Sequence, residues 1–124
     1  MALILVIDDN SDLRSIIQHT LEPEGHEVVL ASDGLQGLQQ QRKRPASLVI
    51  TDIFMPNKEG IETIHELRQN YPDTAIIAMS GGGRQGSPDY LLTANELGVS
   101  AILRKPFAMD ALVEAVRIAL RPIP

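Results

Sequence analysis

The alternation of short, unbroken apolar runs with segments of helical period limits how this chain can fold more than any other feature. The apolar runs are Ala2 to Ile7, His26 to Leu30, Ser47 to Thr51, Thr74 to Met79 and Ser100 to Arg104, all rich in Val, Ile and Leu. A strand with consecutive apolar residues has no face to give to water, so both its sides need cover. The intervening segments supply it. Leu13, Ile16, Ile17 and Leu21 share a helical face, as do Ile61, Ile64 and Leu67, and later Leu112, Val113, Val116 and Leu120. Four helical segments fill the gaps and a fifth ends the chain. Gly25, Pro45, Tyr71-Pro72-Asp73 and Gly98 each stand just before a strand, where breakers belong. Strands buried on both faces and separated by helices require a doubly wound parallel α/β sheet with right-handed crossovers. With 124 residues and 44% hydrophobic content, residues 1–124 are expected to form one domain with a real core.

Composition removes several function classes. Lys and Arg total 11 against 16 Asp and Glu, a net charge of −5, which argues against direct attraction to nucleic acid or to acidic membrane. The absence of Cys excludes thiolate nucleophiles, disulfides and zinc–thiolate sites and fits a reducing compartment. His19, His26 and His65 have no metal-ligand spacing. No apolar run approaches the roughly 20 residues of a membrane span, and the start lacks a basic, cleavable leader. A cytoplasmic protein is the expectation.

In doubly wound sheets the functional crevice lies at the carboxyl ends of the strands. Here the first strand ends in Asp8 and Asp9, the third in Asp52, the fourth in Ser80 and the fifth in Arg104-Lys105-Pro106. If these ends share one edge, three carboxylates, a hydroxyl and an amine converge. Clustered carboxylates either take up protons or hold a hard cation through oxygen ligands. Mg²⁺ suits a shallow, wet crevice, since it keeps several waters and completes its shell with phosphate oxygens. With a lysine and a serine beside it, such a site could bind a phosphoryl group and stabilise the charge on its oxygens, one carboxylate serving as nucleophile.

These residues carry a resemblance over nearly the whole chain. Asp8-Asp9, then Asp52-Ile53-Phe54-Met55-Pro56 with Gly60 after it, then Ser80, then Lys105-Pro106-Phe107, resembles the receiver domain of two-component response regulators. The resemblance implies a flavodoxin-like sheet of order 2-1-3-4-5. It implies that Asp52 accepts a phosphoryl group from a sensor histidine kinase or phosphotransfer protein. Asp8, Asp9, Asp52 and the backbone carbonyl of Phe54 would place Mg²⁺, or Mn²⁺ in its stead. Ser80 and Lys105 would contact the phosphoryl oxygens, with Pro106 in a cis bond. Such a domain turns over no separate substrate and only assists its own phosphorylation and dephosphorylation. It signals by rearranging the surface of its fourth helix, fifth strand and fifth helix for a downstream partner or a fused output domain.

Each element has a plainer reading on its own. Adjacent acids after a strand can be a solvated loop, with Ser11 or Asp12 as helix caps; Asp before Met-Pro can be turn chemistry; Lys105 can be a surface charge. The coincidence of all of them at four strand ends favours function. Gly81-Gly82-Gly83-Arg84-Gln85-Gly86 satisfies G-x-G-x-x-G, but it follows the fourth strand, and no acid stands about 20 residues on. Glycine there reads as flexibility beside Ser80. Arg42-Lys43-Arg44 reads as favourable charge at a helix C-terminus, and His19 and His65 as solvent-facing.

Three departures bear on mechanism. Receivers often carry Tyr or Phe three residues before the lysine, where this chain has Ile102. The glycine-rich loop after Ser80, 81–86, is a few residues longer than is usual in receivers. Ala108 stands where a capping side chain is expected. Apart from these departures, Phe54 places a bulky apolar group next to the acceptor, where it would shield an acyl phosphate from water. Two rivals come from other classes: a phosphate-independent pseudo-receiver that only binds partners, and an aspartate-nucleophile phosphatase, which would want an Asp where Phe54 stands.

Overall fold

The computed structural model describes residues 2–53, 60–81 and 98–121. Five parallel strands, β1 Leu3–Ile7, β2 Glu27–Ala31, β3 Leu48–Asp52, β4 Ala75–Ser80 and β5 Ala101–Arg104, form one sheet of order β2-β1-β3-β4-β5. The helices are α1 Ser11–Leu21, α2 Gly34–Lys43, α3 Gly60–Asn70 and α4 Met109–Ala119, with a short 3₁₀ turn at Glu22–Glu24. The helix expected between β4 and β5 falls within 82–97, outside the described residues. Gly25 and Gly98, expected as breakers, adopt φ of 97° and 79°, which only glycine takes without strain.

Alternation along the strands divides the core in two. Ile4, Val6, Leu48, Ile50, Ile77 and Met79 pack with Ile17 and Leu21 of α1 and Leu112 and Val116 of α4. Leu5, Ile7, Val49, Ile76 and Ala78 pack on the other face with Ile64 and Leu67 of α3. The sheet is buried on both faces, as its unbroken apolar runs require.

Expected and observed strands differ by a residue. β3 and β4 run on to Asp52 and Ser80, because a polar side chain at a strand end does not interrupt backbone pairing: Ile53 N donates to Met79 O at 2.9 Å and Lys105 N to Ser80 O at 2.8 Å. Ile16 is also misplaced by the sequence reading, being 48% exposed. The stripe that faces the sheet is Leu13, Ile17 and Leu21, spaced by four, and Ile16 lies beside it.

Side-chain caps set where α1 and α2 begin, Asp33 Oδ1 accepting Gln36 N at 2.9 Å at the second. Asn10 caps α1, its side-chain oxygen accepting from Asp12 N at 3.0 Å and Leu13 N at 3.1 Å; neither Ser11 nor Asp12 is the cap. Ala108 holds the N-cap position of α4 and offers no side-chain bond there, as anticipated. At the end of α2, Arg42 and Lys43 are exposed, while Arg44 makes a two-pronged pair with Glu27 of β2 at 2.5 and 2.7 Å.

Candidate functional site

The alternation that sorts the core also aims the acidic groups. Asp8 continues the series Ile4, Val6; Asp52 continues Leu48, Ile50; Lys105 continues Ala101, Leu103, and all three series belong to the face covered by α1 and α4. Three strand ends therefore deliver two carboxylates and an ammonium to one place. Ser80 closes β4 at the same edge and is 2% exposed; the alternation assigns it, with Ile76 and Ala78, to the opposite face. Ile102, half-buried, belongs to that opposite face too and is the register partner of Ala78.

At the centre, Lys105 Nζ donates to Asp8 Oδ2 and to Asp52 Oδ2, each at 2.7 Å. Asp8 is completely buried and Asp52 only 5% exposed, so the ammonium sits between two carboxylates that little water reaches. Burial by itself pushes the Lys105 pKa down, but the hydrogen bonds and charges of Asp52 and Asp8 outweigh that and hold it above the usual lysine value. Lys105 is thus a permanent cation here. The Lys105–Pro106 bond is cis, as the resemblance implied.

Asp9 is exposed, yet Asp8, Asp9 and Asp52 can each offer an oxygen within 4.8 Å of the others. The fit to a metal can be judged from the donors. All three are hard oxygen ligands on one edge, one of them open to solvent, which suits Mg²⁺ with retained waters and not a soft metal. Lys105 occupies one oxygen on each of Asp8 and Asp52, so the ion would share these carboxylates with the lysine.

The surrounding loop supplies contacts that no residue pattern announced. Asp8 Oδ1 accepts Asn10 N at 2.8 Å, and the Asp8 carbonyl accepts Nη1 of Arg14, one turn into α1, at 2.6 Å. Asn10 was detectable as a strong cap type; Arg14 carried no signal beyond following Asn10 by four. Behind Asp52, Gly60 N donates to Ile53 O at 2.8 Å, which brings the start of α3 against the end of β3. Phe54, Met55 and Pro56 and most of the glycine-rich run, Gly82 to Gly86, lie outside the described residues. His19 and His65 are exposed, as expected.

Comparison with known proteins agrees with this fold. The family described as response regulator receiver domain matches residues 4–117. The transcriptional regulatory protein CpxR of Escherichia coli is 36% identical over 121 residues, covering 98% of this chain and 50% of CpxR. The chain therefore spans about half the length of that curated relative. Among solved structures, a response regulator receiver domain protein of Clostridium thermocellum superposes with a TM-score of 0.88 at 34% identity, covering 97% of this chain and 94% of that one. The chemotaxis protein CheY4 of Vibrio cholerae superposes with a TM-score of 0.87 at 30% identity, covering 97% and 99%. No helix among the described residues is long and apolar enough to cross a membrane.

Proposed function

The chain belongs to the response regulator receiver domain family, and on that premise we propose that it is a phosphorylation switch with Asp52 as acceptor. An Asp52 carboxylate oxygen attacks the phosphorus of a phosphohistidine on a partner kinase or phosphotransfer protein; the P–N bond breaks and the imidazole leaves. Bound through Asp8, Asp9, Asp52 and the Phe54 carbonyl, Mg²⁺ would supply positive charge to the phosphoryl oxygens. Lys105 holds the acceptor in place before transfer and afterwards can turn to the new phosphoryl oxygens, since both are anionic partners for one ammonium. Ser80 then donates to a phosphoryl oxygen.

The observation that carries this reading is Lys105 Nζ held at 2.7 Å from both Asp8 and Asp52. Phosphorylation adds up to about two negative charges at the group to which the lysine is tied. Any movement of Lys105 is transmitted along β5 and into α4, the surface that a downstream partner or fused output domain would read. Ile102 repacks in place of a rotating aromatic. Phe54 shields the acyl phosphate, so Phe54→Asn should lose phosphate faster than the parent.

Intact mass after incubation with a small acyl-phosphate donor tests the chemistry. A gain of one phosphoryl unit that requires Mg²⁺ and disappears in Asp52→Asn is the expected result. No gain by folded protein would favour the phosphate-independent interaction module, while steady release of phosphate from an added ester would favour a phosphatase.

A further inference from the structure

The three carboxylates of the acidic cluster are not held alike. Asp8 has both oxygens engaged, one by Lys105 and one by Asn10 N, and Asp52 is bound by Lys105. Asp9 is exposed and makes no side-chain hydrogen bond or ion pair among the described residues. With nothing gripping its side chain, the direction of the Asp9 carboxylate is decided by its backbone, and first by the plane of the peptide that joins it to Asp8.

That peptide has one cationic partner. The last ladder bond of β1 is Asp8 N to Ala31 O at 3.1 Å; the Asp8 carbonyl then leaves the sheet and accepts Arg14 Nη1 at 2.6 Å. Arg14 is itself fixed, its N–H donating to Asn10 O at 3.1 Å in the capped first turn of α1. We propose that Arg14 is a positioning residue for the metal site: its guanidinium locks the Asp8–Asp9 peptide and so aims the Asp9 carboxylate at the cluster. This rests on the reading of Asp8, Asp9 and Asp52 as Mg²⁺ ligands.

A charged donor on a neutral carbonyl makes a strong, short bond, and groups that orient metal ligands typically govern affinity about tenfold or more. The alternative role for Arg14, a nearby positive charge, has the opposite sign, because deleting a cation beside a cation site should strengthen metal binding. A purely structural bolt would alter unfolding but not the metal.

Mg²⁺ titration by calorimetry separates these on the parent, Arg14→Met, Asp9→Asn and the double variant. Positioning predicts that Arg14→Met weakens Mg²⁺ about tenfold and that, once Asp9 is Asn, the same change adds less than about twofold. Unchanged or tighter binding by Arg14→Met overturns the proposal, as does an equal loss in both backgrounds. Should Arg14→Met fail to fold, Arg14→Gln, a shorter neutral side chain that removes the charged donor to the Asp8 carbonyl, is titrated and read in the same way. Failure of the parent to bind Mg²⁺ would instead remove the metal reading on which the proposal stands.

Discussion

Gly60 lies so close to Asp52 that a Cβ on it would stand 2.0 Å from the Asp52 carbonyl oxygen and 2.5 Å from Ile53 Cα. Backbone cannot swing aside as a flexible side chain can, so α3 and β3 approach each other only because residue 60 has no side chain. Gly60→Ala is expected to force them apart. The overpacking cost of about 1–3 kcal/mol outweighs any propensity gain, which is small at a helix's first residue. Urea unfolding should show the loss, and phosphoryl uptake at Asp52 should slow in the fraction that stays folded.

Lys105→Met tests the ion pairs at the site. It leaves Asp8, fully buried, and Asp52, nearly so, without the ammonium that now lies between them. A wholly buried pair loses about 3–5 kcal/mol when one partner is removed; because the Lys105 side chain is 23% exposed, about 2 kcal/mol is the expectation. Urea unfolding without metal measures it. Added Mg²⁺ should recover part of the loss in the variant, since a divalent ion supplies the missing charge, and recovery no larger than in the parent would count against metal binding at these carboxylates.

Ala108→Ser should stabilise. The residue has φ −74° and ψ 149°, the extended backbone of an N-cap, but no side-chain oxygen for the orphan amides of α4. Serine supplies one without moving the backbone, for a gain of about 1 kcal/mol, visible as a higher midpoint in thermal unfolding. Its phosphoryl uptake should match the parent's.

What the sequence disclosed and what it withheld follow one physical division. Strand ends and helix stripes are set by local period, so Asp8, Asp52 and Lys105 could be brought to one edge on paper from the positions of apolar neighbours such as Val6, Ile50 and Leu103. Ile16 was misplaced because four adjacent apolar residues define a face only to within one position, and the sheet selects Leu13, Ile17 and Leu21. Arg14 escaped notice for a different reason. Its bond goes to a backbone carbonyl, and carbonyls have no letter in the sequence. The closeness of Gly60 to Asp52 was hidden likewise, since the motif marks the glycine but not the carbonyl it must clear.

His26 gives stability a pH dependence away from the acidic edge. Its Nδ1 is buried without a hydrogen-bond partner among the described residues, beside a cavity of about 480 Å³ that Leu21, Val113 and Arg117 also line. Burial holds its pKa below the ordinary 6.5, outweighing the opposing charge of Glu24. The unfolded chain therefore binds a proton at a higher pH than the folded one does. Above the unfolded value the imidazole is neutral in both states and the fold bears no penalty; as pH falls through 6.5 towards the folded value, protonation favours unfolding and stability drops. His26→Gln cannot titrate, so subtracting its stability curve from the parent's isolates this contribution from the carboxylates. The difference should be flat above about pH 7.5 and fall to the parent's disadvantage on acidification. A difference that moves in the parent's favour as pH falls would mean that His26 gains an anionic partner in the fold, Glu24, which lines the same cavity, being a candidate.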